Sequence, residues 1–301
     1  MKTLVNICGA GRSGTTMCDL ILGNAPDAFS CGEVFAWYRP WRTHHFQIDC
    51  SCGQVPCLVW DKIKDYSENL LHTQLLEQLR VNYVIDSSKE LCWVIDNNDW
   101  AAKNEIAVIN VLVWKDPVSL AYSHWKRGQR INTWRKGFLN YYSRFLQTNL
   151  PFVSLSYNEL VQDPSQKVKQ LCKIVGMEYF PGKERFWEKH HHLLYGSGGL
   201  RKQLQQGVSE IKSQEIFSPE FMDKISELSE EIQGDTQVQD ILRILKQSEI
   251  TNHSTKMTTL YTASHFPDSK RPLWYYTRWL KRIYRKRFPQ KYIQTEAQPW
   301  T

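Results

Sequence analysis

No apolar run in this 301-residue chain is long enough to cross a bilayer. The longest, IAVINVLVW at 106–114, has nine residues, where a spanning helix needs about 20. The N-terminus lacks the apolar stretch of a secretory leader, because one lysine and a short strand lead straight into a glycine-rich loop. A cytoplasmic protein is expected. Its eight cysteines are then expected to be reduced or to serve a metal, not to form a disulfide framework. Internal repeats and low-complexity segments are missing as well. So is any charge excess over most of the chain: residues 1–267 hold 29 basic and 29 acidic side chains. The whole net charge of +7 lies from Asp268 to Thr301, where nine Lys/Arg face two acidic residues. A generally basic surface, as a nucleic-acid binder would carry, is excluded, and no nucleic-acid-binding motif accompanies the tail.

One further absence is local. The stretch NICGAGRSGTTMCDLIL at 6–22 has Gly9 and Gly14 at the spacing of a phosphate-binding loop. Thr15 stands where a nucleotide-hydrolysing loop, G-x-x-x-x-G-K-[ST], places the lysine that reaches the β/γ-phosphates. Gly9, Gly11 and Gly14 let the backbone turn its N–H groups inward, and the next helix adds its positive end. Arg12, Ser13, Thr15 and Thr16 remain as donors, which suits one terminal or bridging phosphate. A ligand-free glycine turn is the plainer alternative.

At this length the chain accommodates one large α/β domain with appendages. Strands and helices alternate: TLVNIC (3–8), a helix over about Thr15–Gly23, AFSCGEV (28–34), NYVIDSS (82–88) and IAVINVLVW (106–114). A long helical region follows at Ser119–Gln147, then a strand FVSLSY (152–157) and a helix DPSQKVKQLCKIVG (163–176). The β-branched runs read as buried parallel strands, and the alternation predicts a parallel sheet with helices on both faces.

A second stretch, VLVWKDPVSLAYSHWKRG at 111–128, ends an apolar strand in Lys115 and sets Ser123 eight residues on. Together with the loop, it resembles the sulfotransferase family that uses 3′-phosphoadenosine 5′-phosphosulfate (PAPS), in its bacterial and tyrosylprotein branches. The resemblance implies a P-loop-type three-layer α/β/α sandwich with a central parallel sheet and a helical C-terminal extension. It implies that the first loop, through Gly11, Arg12, Ser13, Gly14, Thr15 and Thr16, holds the 5′-phosphosulfate, and that Lys115 and Ser123 hold the 3′-phosphate. The family usually has arginine where Lys115 stands; lysine keeps the charge and gives up the bidentate fork.

SCGEVFAW (30–37) is similar to a family segment in which a glutamate follows a glycine, making Glu33 the candidate general base. VIDSSK (84–89) matches a short turn carrying Lys89, which with Arg12 would stabilise charge on the leaving phosphate. LSYNELVQDP (155–164) resembles the strand-to-helix segment after the 3′-phosphate site. YGSGGLRKQ (195–203) resembles a late loop that closes over the adenosine and 3′-phosphate, with Arg201 and Lys202 as its cations. The resemblance spans about Lys2 to Gln203. It implies transfer of a sulfuryl group from PAPS to an acceptor hydroxyl on a glycan, lipid, peptide or small alcohol, releasing 3′,5′-ADP with no metal required. A P-loop kinase with Asp86 or Asp116 holding Mg²⁺, and a catalytically silent nucleotide-binding protein at a membrane, are the alternatives.

His124 and the His44/His45 pair are rival bases, because imidazole is better matched to neutral pH. His190, His191 and His192 read as one helical face whose members diverge. Cys50, Cys52 and Cys57 of CSCGQVPC are three soft ligands, with His45 or Cys31 available as a fourth for zinc. C-x-C-x₄-C is not a standard zinc spacing, so reduced cysteines in a lid loop at 38–60 are the favoured reading, with no metal. The catalytic domain is expected at 1–250, and a linker and basic tail at 251–301. In LWYYTRWLKRIYRKRF (273–288), Leu273, Tyr276, Trp279, Leu280, Ile283 and Tyr284 gather on one side of a helix; Arg278, Lys281, Arg282 and Arg285 gather on the other. Such a helix either lies peripherally on an anionic membrane or docks on the protein's own core.

Overall fold

The computed structural model describes residues 2–40, 42–207, 210–211, 216–251 and 271–287. Strand β1 (Thr3–Cys8) leads through the glycine loop into α1 (Thr15–Gly23), and β2 (Ala28–Gly32) into the short α2 (Phe35–Tyr38). After α3 (Leu58–Asp61) and α4 (Leu71–Gln78) come β3 (Tyr83–Asp86), α5 (Leu91–Lys103) and β4 (Ala107–Trp114). Helices α6 (Pro117–Trp125) and α7 (Thr133–Leu146) precede β5 (Val153–Ser156), α8 (Tyr157–Gln162) and α9 (Pro164–Val175). The chain closes with α10 (Gly198–Gln205), α11 (Pro219–Gly234), α12 (Thr236–Gln247) and α13 (Leu273–Arg287).

All four strand pairings are parallel, in the order β2-β3-β1-β4-β5. Strand residues alternate between two buried faces. Val5, Ile7, Val111, Val113 and Leu155 pack under α1, α8 and α9, with Leu20, Leu160, Leu171 and Ile174. On the other face, Cys8 and Leu112 meet α5, α6, α7, α11 and α12, while Leu4, Val84 and Val108 meet α4 and α5. Burying each such aliphatic side chain contributes about 1.5–3 kcal/mol. The three-layer α/β/α expectation therefore stands, and α1 and α9 keep the bounds the sequence suggested to within a residue.

One expectation changes, and another gains detail. The long helical region expected over Ser119–Gln147 consists of two helices, α6 and α7, with Gly128 at a left-handed φ of 72° between them. The backbone there can turn out of the helix without a Cβ penalty. The histidines at 190–192 are not helical: they follow a short 3₁₀ turn at Phe186–Glu188 in a segment that is neither helix nor strand.

Helix α13 docks on α5. Tyr275 is buried and its hydroxyl donates to Asp96 at 2.6 Å, while Arg271 pairs with Asp99 and Arg278 with Glu90. Leu273, Tyr276, Leu280 and Tyr284 face outward, exposed by 82, 48, 59 and 44 %, so docking uses a different stripe from the apolar one. The expected linker falls largely at 252–270, and the side chains of Trp279, Arg282, Ile283 and Arg285 were also part of the tail reading; these lie outside the described residues.

Candidate active site

The sheet order creates a switch point. From β1 the chain moves to one side of the sheet, and from β4 to the other, so the carboxyl ends of β1 and β4 border a crevice of the kind in which open α/β sheets bind ligands. The two sequence motifs end there.

The loop after β1 is tightly held. Arg12 adopts φ 75°, a conformation unfavourable for a residue with a Cβ. Gly14 has φ 97°, and a Cβ on it would lie 2.1 Å from the Tyr157 ring, so only glycine fits. The Ser13 hydroxyl and N–H both donate to the Ala10 carbonyl, at 2.8 and 3.2 Å. Tyr142 donates to the Val113 carbonyl and accepts from the Ala10 N–H, tying the loop to β4. No side chain caps the N-terminus of α1, and its first turn holds no acidic residue. Its positive end is thus left toward the crevice.

At the end of β4, Asp116 caps α6 by accepting from Val118 and Ser119 N–H, which fixes Lys115 one residue before. Lys115 is buried, with its ammonium 4.1 Å from the centre of the Tyr157 ring. Arg12 Nε donates to Ser123 Oγ at 3.3 Å. The glycine loop and the Lys115–Ser123 motif, 111 residues apart in sequence, are therefore in contact.

Glu33 enters from β2. Gly32 turns the chain at φ 71°, where a Cβ would meet the Leu194 carbonyl at 2.2 Å. Glu33 N–H then donates to that carbonyl at 2.8 Å, and Leu194 N–H donates to Cys31 at 2.9 Å. Beneath the turn, Asp19 accepts from Gly32 N–H at 3.1 Å and Ser87 Oγ at 2.6 Å. Burial pushes the Asp19 carboxyl up to about 7, against the lowering effect of those bonds. The Glu33 carboxylate pairs with Lys89, itself held at φ 63° and through Tyr141, whose hydroxyl donates to the Lys89 carbonyl at 3.0 Å.

Gly11, Arg12, Gly14, Thr15, Thr16, Glu33, Lys89, Lys115 and Ser123 line one cleft of about 1730 Å³. Ligand pockets commonly enclose about 300–1,000 Å³, so this one accommodates a nucleotide and a second substrate. Three expected residues do not line it. Ser13 is fully buried and holds the loop together. Arg201 turns away to Asp49, donating to its carboxylate at 2.6 Å and its carbonyl at 3.1 Å, and Lys202 is exposed on the same helix. On α10 the cleft face belongs to Gly199, Leu200 and Gln203; Arg201 and Lys202 follow Leu200 by one and two steps of about 100° each. The loop itself does close on the site: Ser197 N–H donates to Thr16 Oγ1 at 3.2 Å.

No described histidine lines the cleft. Burial lowers the pKa of His124, which bonds Gln129, and His45 is buried beside Tyr195. Neither proposed magnesium carboxylate faces the cleft either: Asp86 is buried among His72, Trp93 and Asn97, and Asp116 caps α6. Sequence reasoning missed Tyr157, Tyr141, Arg39 and two tail cations, Arg278 and Lys281, which also line the cleft. Tyr157 had a signal in its place directly after β5; the tail cations had none.

Neither a protein-family model nor a curated protein matches the sequence. Solved structures do. A sulfotransferase domain from the curacin biosynthetic pathway aligns with a TM-score of 0.52 and 15% identity, over 82% of this chain and 98% of that domain. The sulfotransferase domain of the Synechococcus PCC 7002 olefin synthase gives 0.48 at 13% identity, over 88% and 94%. A sulfotransferase from Alicyclobacillus acidocaldarius gives 0.41 at 13%, over 82% and 96%. The chain thus has the fold of the curacin-pathway sulfotransferase domain.

Proposed function

We propose that the chain is a PAPS-dependent sulfotransferase. The observation that carries this reading is the convergence of a lysine-free phosphate loop, the Lys115–Ser123 pair and the Glu33–Lys89 pair in one cleft at the switch point. PAPS supplies a sulfuryl group on a single 5′-phosphate and has no β/γ chain for a loop lysine to grip. The α1 N-terminus, with Thr15 and Thr16, is suited to that phosphate, and Lys115 and Ser123 to the 3′-phosphate. Glu33 takes the proton from the acceptor hydroxyl as its oxygen bonds to sulfur. The sulfur–oxygen bond to the 5′-phosphate breaks, and Arg12, Lys89 and the loop N–H groups offset the charge left on 3′,5′-ADP. Kinase chemistry is disfavoured because Asp86 and Asp116 are both engaged elsewhere.

Thermal shift of the full chain with PAPS, 3′,5′-ADP, ATP and AMP, with and without Mg²⁺, tests the reading. PAPS and 3′,5′-ADP are expected to stabilise without Mg²⁺, by about 2.7 kcal/mol at a hundred times Kd. Stabilisation by ATP and Mg²⁺ alone overturns the assignment. Transfer of labelled sulfate to a hydroxyl acceptor separates an enzyme from a silent binder.

The exposed stripe Leu273, Tyr276, Leu280 and Tyr284, in a segment whose sequence is strongly basic, supports peripheral contact with an anionic membrane. Removing the tail would also strip Tyr275 and Arg278 from the body, so Leu280→Glu is the cleaner probe. It is expected to abolish binding to phosphatidylserine-containing vesicles at low salt while leaving the 3′,5′-ADP thermal shift unchanged. Full-length protein that ignores such vesicles ends the membrane reading.

A further inference from the structure

The three cysteines of the 50–57 segment are not spread through a lid. Cys50 and Cys57 are 5 and 1 % exposed, pack with Trp60 and Leu194 in the core, and do not line the cleft. The non-helical segment at 190–192 brings successive histidines to different partners. His191 is buried, its Nε2 2.7 Å from the Phe186 carbonyl. His192 instead brings Nδ1 to 3.3 Å from Cys57 Sγ and 4.0 Å from Cys50 Sγ. With Cys52, the four ligand atoms all lie within 4.8 Å of one another. Neither His45 nor Cys31 belongs to this group.

We infer that Cys50, Cys52, Cys57 and His192 form a structural zinc site. Tetrahedral zinc with bonds of about 2.3 Å to sulfur and about 2.0–2.1 Å to imidazole sets its ligand atoms roughly 3.5–3.8 Å apart, and the two measured separations bracket that range. Three thiols and one imidazole are a closed donor set of the kind structural zinc takes, leaving no open position for chemistry. Zinc displaces the thiol protons and offsets the charge of three thiolates crowded into this pocket. The surroundings are built to hold the ligands. Gly53 turns the chain at φ 70°, its N–H donating to the Cys50 carbonyl at 3.1 Å. Ser51 Oγ donates to the His191 carbonyl at 2.7 Å, and Ser51 N–H to the Leu193 carbonyl at 2.9 Å. Trp60 Nε1 donates to the carbonyl of His192 itself.

The site staples two segments far apart in sequence. Residue 194, two beyond the histidine ligand, bridges Cys50 on one side and Gly32 on the other, and its carbonyl receives the Glu33 N–H. The metal thus fixes the backbone rung from which Glu33 projects, without touching substrate.

The test uses the full chain, purified under reducing conditions and analysed for metal. One equivalent of zinc is expected. After chelation, anaerobic Co²⁺ is expected to produce thiolate-to-cobalt charge transfer and the intense d–d bands of tetrahedral cobalt, both displaced by Zn²⁺. Cys52→Ser changes the partly exposed one of the three cysteines, and His192→Ala removes the imidazole; each is expected to weaken zinc binding at least about 10-fold. Zinc removal from the wild-type chain is expected to raise amide exchange over 47–61 and 191–197. Reduced wild-type protein that holds no zinc and gives no cobalt bands overturns the inference. So does a disulfide among these cysteines found by mass in freshly isolated protein, or zinc affinity unchanged in both variants.

Discussion

Glu33→Gln is expected to lower sulfuryl-transfer turnover by about 10²-fold or more while 3′,5′-ADP still binds. Glutamine keeps the shape and the hydrogen bond to Lys89 but cannot take the acceptor's proton. The backbone rung at Leu194 is untouched by this substitution, so the position of the side chain is preserved. Single-turnover rates and nucleotide affinity, measured on the same preparation, separate the two effects. Nearly full turnover removes Glu33 from the proton transfer. Of the other described carboxylates lining the cleft, Glu68 and Glu90 are committed to Arg39 and Arg278, which leaves Glu210 as the one to test next, and no described histidine lines it.

Lys115→Ala is expected to weaken 3′,5′-ADP binding by about 10- to 100-fold, the loss of a charged hydrogen bond worth roughly 1.5–3 kcal/mol, and to leave AMP binding nearly unchanged. Lys115→Arg is expected to retain or tighten 3′,5′-ADP binding, because a guanidinium offers two parallel donors where the ammonium offers one point charge. Titration calorimetry with the two nucleotides makes the comparison. Equal losses for both in the alanine variant remove Lys115 from the 3′-phosphate.

The doubly covered parallel sheet was legible because its signals are local. A β-branched run flanked by turn residues declares a buried strand, and Gly9, Gly11 and Gly14 declare the loop between β1 and α1. The pairing of that loop with Lys115 and Ser123 came through resemblance, and the Arg12–Ser123 contact now ties the two motifs physically. What failed depended on direction or on distant partners. The cations Arg201 and Lys202 stand in the expected stretch, but helical geometry turns them from the cleft, and Asp49, 152 residues away in the chain, claims the first. Adjacent histidines looked divergent, and they are; outside any helix, His192 meets cysteines 135 and more residues earlier. Arg278 and Lys281 reach the cleft only because α13 docks on α5, which no local pattern announces.

The contact among Gly14, Tyr157 and Lys115 limits how this site can change over generations. A side chain at position 14 cannot appear while the ring of Tyr157 lies where its Cβ would go, so Tyr157 must shrink first. Shrinking it removes the aromatic face on which the Lys115 ammonium rests. Each single step passes through a weakened intermediate, and the energies of the two changes cannot simply add. The glycine loop and the strand-end cation are therefore coupled through one ring: a change at either end of this contact is felt at the other.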